Sequence, residues 1–346
     1  TLGGSRNWDY RFVWLRDAAF TLAALERVGH AAEADQFMRF LKRVTRHEGG
    51  GHLQIMYGVD GQRDLVERQL DHLAGYAGSK PVRVGNGAAD QLQIDVYGEV
   101  LETAEMWRRN HPMTDGTWRV LRPLVDWVSR NWHRPDSSIW EVRGEVRHYT
   151  YSKLMSWVAL DRGIRMAEEL RLDGDVEKWR TERDLLRAEI LERGWSSRKQ
   201  AFIQAYESPE TLDASTLAVG FVDFLPWSDP RMQSTVKAIA AELTSPDGNM
   251  VYRYRSPDGL EGEEGAFSIC TFWLAEALLR CGDRDGADRI FRGMLERANH
   301  LGLYSEEIDP VTGEFLGNFP QGFTHIALIN CAVAFARKAQ REAPRS

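Results

Sequence analysis

The chain has 346 residues, 43% of them hydrophobic, enough for one large core or two smaller ones. Charged residues make up 27% with a net charge of −7, and no basic face of the kind a nucleic-acid partner demands is visible. The longest apolar run, Ala327 to Ala336, is broken by Asn330 and far too short to span a bilayer, so a membrane is excluded as a partner and no secretory leader is seen.

Read for period, the sequence is a string of helices. Asp17 to Val28 carries Phe20, Leu22, Ala23 and Ala24 and stops at Gly29, as a helix C-terminus should. His30 to Thr45 follows at once, with Phe37, Phe40, Leu41 and Val44 on one stripe. Further helices are expected at Ala89 to Arg109, Asp115 to Trp132, Tyr151 to Leu170 and Asp173 to Arg193. The last five are Leu212 to Val222, Pro230 to Leu243, Ala266 to Cys281, Asp283 to Asn299 and Gly322 to Gln340, making eleven.

Very short turns such as Gly29-His30, Leu172-Asp173-Gly174 and Gly282-Asp283 join these helices in pairs. Longer polar segments rich in Gly and Trp, at 47–88, 133–150, 195–211, 245–265 and 300–321, separate the pairs. Short loops on one side and long loops on the other describe an all-α toroid of hairpins, with the long loops gathered at one mouth where function is carried. Six hairpins need twelve helices, so the first is expected upstream of Thr1. Helical repeat arrays keep a fixed period and short connections throughout, which this chain does not.

Twelve tryptophans are a high count, read for most of them as core filling and for a few as flat platforms for a sugar ring. Cys270, Cys281 and Cys331 have no metal-ligand spacing and cannot all pair, which fits a reducing, cytoplasmic setting. No metal cluster, phosphate-cradling loop or redox motif is seen, so no cofactor is implied.

Four of the long loops combine aromatic and acidic residues directly before a helix. The first holds Tyr10, Trp14, Arg16 and Asp17. Asp17 alone could be a helix cap, yet a cap needs no arginines and tryptophans beside it, whereas sugar hydroxyls are met by charged hydrogen-bonding groups next to a stacking ring. The second is Trp140-Glu141, with Glu145 and His148 behind it. A glutamate pressed against an indole is desolvated, which favours the protonated form that a general acid requires.

The third runs from Tyr252-Arg253-Tyr254 to Glu261-Gly262-Glu263-Glu264-Gly265, where Glu263 reads as an acid in the first turn of a helix. The fourth is Ser305-Glu306-Glu307-Ile308-Asp309, followed by Gly317-Asn318-Phe319-Pro320-Gln321. Two carboxylates across a sugar pocket are the minimum apparatus for glycoside hydrolysis.

At these four places the sequence resembles glycoside hydrolase family 15. The family's Tyr-x-x-x-Trp-x-Arg-Asp pattern is matched by Tyr10, Trp14, Arg16 and Asp17, its Trp-Glu by Trp140-Glu141, its Arg-Tyr by Arg253-Tyr254, and its late glutamate by Glu306. The resemblance implies a single (α/α)6 catalytic domain over residues 1–346, with a β-rich domain upstream. It implies inversion, with Glu141 as general acid and Glu306 as general base. Arg16, Asp17 and Arg253 would hold the terminal glucose, Trp14 and Trp140 would wall its subsite, and Tyr10 and Glu307 would contact substrate. Glu145 and Glu307 stand as alternatives for the acid and the base.

Val142 replaces the second acid of the fungal glucoamylases, putting contacts beyond the terminal glucose in doubt. The Trp-Glu-Val-Arg-Gly, Glu-Gly-Ala-Phe and Gly-Asn-Phe-Pro-Gln stretches resemble the bacterial trehalase-like branch, so the expected substrate is trehalose. Starch-derived and α-1,6-linked glucosides are the alternatives within the family. Outside it, an (α/α)6 sugar epimerase would rely on histidines such as His148, His300 or His325, a phosphorylase would need an anion site where the base stands, and a non-catalytic sugar-binding protein would have no use for both glutamates.

Overall fold

A computed structural model describes residues 3–30, 32–45, 51–256 and 264–342. Its helices are α1 (Leu15–Arg27), α2 (Ala32–Thr45), α3 (Asp95–Trp107), α4 (Asp115–Asn131), α5 (Thr150–Leu170), α6 (Val176–Arg193), α7 (Ala218–Phe221), α8 (Pro230–Glu242), α9 (Ser268–Cys281), α10 (Arg284–Leu295) and α11 (Gly322–Glu342). A 3-10 turn at Ala214–Leu217 runs straight into α7, and together they form one short helical rod.

The helices form two rings. α1, α3, α5, the 214–221 rod, α9 and α11 touch in that order, and α11 returns to α1. α3, α5 and α9 are buried on nearly every side, whereas α2, α4, α6 and α10 bury one face only. The first group is therefore the inner ring and the second, with α8, the outer. The molecule is an (α/α)6 barrel, and among the described residues the outer position between α11 and α1 holds no helix.

Contact in the inner ring is close enough to exclude side chains. A Cβ on Gly98 of α3 would lie 2.2 Å from the carbonyl oxygen of Met155 on α5, so only glycine lets these two helices meet. The main core is continuous around the barrel. A second, small cluster of Trp14, Ile55, Met56, Leu65, Ala88 and Ala89 sits under the long loop that follows α2.

Chain direction sorts the loops. Every passage from an inner helix to its outer partner is short, and every return from outer to inner is long, so the long loops all enter at the N-termini of inner helices. Outer helices are capped by their own sequence: Thr114, Asp175, Asp229 and Asp283 accept the amides of Thr117, Lys178, Arg231 and Gly286. At the mouth, α1, α5 and α9 instead follow Trp14, Tyr149 and Phe267, none of which makes a side-chain cap. Asp17 is thus not a cap but the third residue of α1.

Several helix starts differ by a few residues from the periodicity, two of them with a visible cause. The stretch expected from Ala89 begins only at Asp95, because Asn86 caps a separate 3-10 turn at Gly87–Asp90. The stretch expected from Ala266 begins at Ser268, because Ala266–Phe267 is taken into a sheet as β7. The other two-residue strands are β1 (Val13–Trp14), β2 (Met56–Tyr57), β3 (Arg68–Gln69), β4 (Arg83–Val84), β5 (Trp195–Ser196), β6 (Ala201–Phe202), β8 (Glu307–Ile308) and β9 (Phe315–Leu316). β1–β2 and β7–β8 staple separate segments to one another, whereas β3–β4, β5–β6 and β8–β9 are hairpins within single long loops.

Candidate active site

The long loops enclose a cavity of about 920 Å³. Its wall includes Tyr10, Trp140, Glu141, Arg253, Glu306 and Glu307, six of the nine residues expected from sequence, gathered from four separate loops. Trp14, Arg16 and Asp17 are not in that wall. Trp14 and Arg16 form the layer behind Glu141, and Asp17, its side chain 40% exposed, lies beside Arg16.

The Glu141 carboxylate is gripped from that layer. Trp14 Nε1 donates to its Oε1 at 2.7 Å and Arg16 Nη2 to the same oxygen at 3.1 Å. Arg16 is itself fixed by Nη1 to the carbonyl of Ile139 at 2.8 Å and to Gln93 Oε1 at 3.3 Å, and its Nη2 lies 3.2 Å from Asp17 Oδ2. Sequence led us to expect Glu141 desolvated against its neighbour Trp140. The structure turns the Trp140 indole away instead: its Nε1 donates to Asp213 at 3.0 Å, while its ring packs on Phe267 and Trp273.

Glu306, in the wall of the same cavity, is held in the same manner. Its Oε2 accepts both the backbone amide and the side-chain Nδ2 of Asn318, each at 3.1 Å. A sheet delivers it there: β7 pairs with β8, Phe267 opposite Glu307, and β8 pairs with β9, Glu307 opposite Leu316. Burial first, and the Glu264 charge, raise the Glu306 carboxyl above its ordinary value, against the pull of Asn318 and Arg253. Gly317, at φ +70°, makes the close approach possible, since a Cβ there would lie 2.6 Å from Glu306 Oε2. Gly317→Ala is therefore expected to displace the carboxylate and lower turnover about a hundredfold, a cost typical of misplacing a reacting group by about 1 Å. Equal kcat in the variant and the parent would show that the approach is not needed.

Glu307 lies beside it, with Oε2 accepting the Gly265 amide at 2.7 Å. Burial, then the charges of Glu264 and Glu306, push its carboxyl up to about 8, so it is mostly protonated at neutral pH. Tyr10 keeps its ring open to the cavity while protein encloses its other sides; burial and the charges of Glu306 and Glu141 raise its hydroxyl.

The floor is cationic and aromatic. Arg253 lies over Trp140, Tyr254 and Phe267 and forks onto Glu264, with Nε to Oε2 at 2.7 Å. Arg6 reaches the same carboxylate from the N-terminal segment at 2.7 Å. Arg143 and Arg83 flank the Trp8 ring and share Glu67. Of twelve tryptophans, only Trp8 and Trp140 reach the cavity; the rest fill core or line helix contacts, apart from Trp14, which does both core filling and the grip on Glu141.

Residues not foreseen include Arg6, Trp8, Asp213, Glu264 and Asn318. Asn318 had a signal in the Gly-Asn-Phe-Pro-Gln stretch; the others carry none apart from lying in aromatic and acidic loops. Glu261 and Glu263 lie outside the described residues. Glu145 is exposed and apart from the cavity.

The histidines also lie elsewhere. His148 stacks on Tyr206, His300 is exposed, and His325 accepts the Tyr304 amide at 3.4 Å within α11's packing. Among the described residues no histidine lines the cavity.

Residues 2–333 match the family model for glycosyl hydrolases family 15. The chain belongs to this family. It is 47% identical over 349 residues to a trehalase of Mycobacterium tuberculosis, covering 99% of this chain and 51% of that protein. A trehalase of Mycolicibacterium smegmatis is 46% identical, with 99% and 52% covered. The chain thus spans about half the length of these curated relatives. A bacterial glucoamylase solved with acarbose has the same fold, with a TM-score of 0.74 at 16% identity, covering 94% of this chain and 49% of the other. Among the described residues no helix is long and apolar enough to cross a membrane.

Proposed function

We propose that this chain hydrolyses an α-glucoside by inversion, and that its substrate is trehalose. The observation that carries the reading is the matched support of two acids in one cavity. Glu141 takes two donors on Oε1, so the transferable proton belongs on Oε2 and goes to the glycosidic oxygen. Glu306 takes two donors on Oε2, leaving Oε1 to accept a proton from water attacking the anomeric carbon on the opposite face. Water's oxygen forms the new bond, the glycosidic bond breaks, and each carboxyl ends in its partner's protonation state.

Arg253 and protonated Glu307 supply donors for hydroxyls of the bound glucose, and Trp140 supplies an apolar face. Trp14 and Arg16 act from behind Glu141, and Asp17, partly exposed beside Arg16, is left to accept from a glucose hydroxyl. The choice of trehalose rests on the trehalase relatives. A cytoplasmic site fits three free thiols, two of them buried.

Proton NMR of the purified protein with trehalose, maltose or isomaltose tests this. Trehalose should be consumed, with α- and β-glucose released together in equal amounts. Consumption of maltose or isomaltose instead, with β-glucose ahead of mutarotation, would keep inversion and replace the substrate. Turnover of none would overturn the reading.

Glu307 gives the reaction an alkaline limit. Its proton is lost as pH rises through about 8, which removes a donor and adds a negative charge beside Glu306. Activity should fall over that range, and Glu307→Gln, which keeps a donor but cannot ionise, should carry kcat/KM undiminished to higher pH. A parent and variant sharing one alkaline limb would refute this role.

A further inference from the structure

Glu141 sits on a strained turn. Ser138 and Glu141 have left-handed backbone, at φ +66° and +57°, a conformation such residues keep only where the surroundings over-determine it. The turn closes on itself, with the Glu141 amide on the Ser138 carbonyl at 3.2 Å and the Val142 amide on Ser137 at 2.9 Å.

What anchors it is a buried carboxylate that never meets the cavity. Asp136 is 1% exposed. Its Oδ1 accepts the Ser138 amide at 3.2 Å and its Oδ2 the Ile94 amide at 2.8 Å, tying the turn to the start of α3. Its backbone exchanges two hydrogen bonds with Arg147, at 3.0 and 3.1 Å. From α5, Lys153 Nζ holds the carbonyls of Trp132 at 2.5 Å and Arg134 at 2.6 Å, fixing the chain that leads into Asp136.

We propose that Asp136 is a positioning residue: through the Ser138 and Ile94 amides it fixes the 137–142 turn, and with it the direction in which Glu141 presents its carboxyl. The proposal rests on the reading of Glu141 as the proton donor. A neutral side chain of the same shape has one good acceptor where two amides need two, so the turn loosens whenever Asp136 loses its charge.

Burial pushes the Asp136 carboxyl up to about 6, against the pull of the Ile94 amide, the Ser152 hydroxyl, the Ser138 amide and Lys153. The titratable groups facing it are Asp95 on α3, Tyr149, and Lys153 on α5. Glu189 and Arg193 of α6, with Glu207 and His148, surround that lysine. The carboxylate therefore does its work above about pH 6 and loses it below.

Asp136→Asn tests this by two readouts: kcat and KM between about pH 5 and pH 8, and deuterium exchange of the 136–142 segment, parent against variant at each pH. At about pH 7.5 kcat should fall about ten- to a hundredfold, the cost of a small misplacement, with KM within about twofold. The segment should exchange faster than in the parent. Both differences should close towards about pH 5, where the parent's Asp136 is itself protonated. A kcat ratio independent of pH, or equal protection at about pH 7.5, would overturn the proposal and leave Asp136 a merely structural residue.

If Asp136→Asn does not fold, Lys153→Met removes one of the groups that favour the ionised Asp136. The acid limb of kcat should then move to higher pH, and an unmoved limb would overturn the proposal. Should the parent turn over no sugar, the functional reading fails while the exchange comparison still decides whether Asp136 holds the turn.

Discussion

Glu141→Gln should lose about a hundred- to ten-thousandfold in kcat on trehalose while still hydrolysing α-glucosyl fluoride at close to the parent rate. Fluoride leaves without a proton, so that substrate bypasses the acid. Glutamine keeps the shape and can still accept from Trp14 and Arg16, whose donors fall on one oxygen, so the cavity stays intact. Glu306→Gln should instead fail on both substrates, because water must be deprotonated whatever leaves. The Asn318 grip on Glu306 Oε2 survives that substitution too, which separates loss of the base from loss of structure. Steady-state rates on the two substrates check all four combinations. Fluoride hydrolysis lost in Glu141→Gln and kept in Glu306→Gln would exchange the two roles.

Much of this arrangement was legible in the sequence because it is built on local pattern. The eleven helices follow from apolar period and short turns, with bounds that shift by a few residues and furthest where another interaction intervenes. Ala266–Phe267 looks like the first turn of α9 by composition, but it pairs with Glu307–Ile308, a contact across about forty residues that no local window contains. The same ladder carries Glu306 to the cavity.

The acids themselves were found as members of aromatic loops, yet their surroundings were not. Adjacency in sequence pointed to Trp140 as the wall against Glu141, whereas the contact comes from Trp14, 127 positions away. Trp140 spends its polar atom on Asp213, 73 positions away. Arg6, Asn318 and Asp136 are ordinary residues in composition, and only the return of each long loop to the same mouth gives them their roles. Period predicts which face of a helix is buried; it does not predict which loop residue meets which.

Arg16→Met should cost about 3–5 kcal/mol of stability near neutral pH, the range for removing one partner from a buried ion cluster. Arg16 is buried, and its charge is opposed by Asp17, Glu141 and Asp95. Methionine fills the volume and leaves those acids without their cation. Asp95 is the most demanding, since among the described residues neither of its buried carboxylate oxygens has a hydrogen-bond partner and burial already pushes it up to about 7, against the pull of Arg16.

Removing that pull raises Asp95 further, and Asp17, itself raised by burial, rises with it. Acids whose folded values lie above their unfolded ones stabilise the fold fully only below the unfolded value, and lose that contribution as pH rises through the folded one. The deficit of the variant should therefore be smallest towards about pH 5 and widen as the pH rises through about 7, where the parent's Asp95 ionises and the variant's does not. Urea unfolding of parent and variant at several pH values measures it. A deficit that stayed constant with pH would assign the loss to packing alone, and a variant as stable as its parent at about pH 7.5 would show that the acids are not held by this arginine.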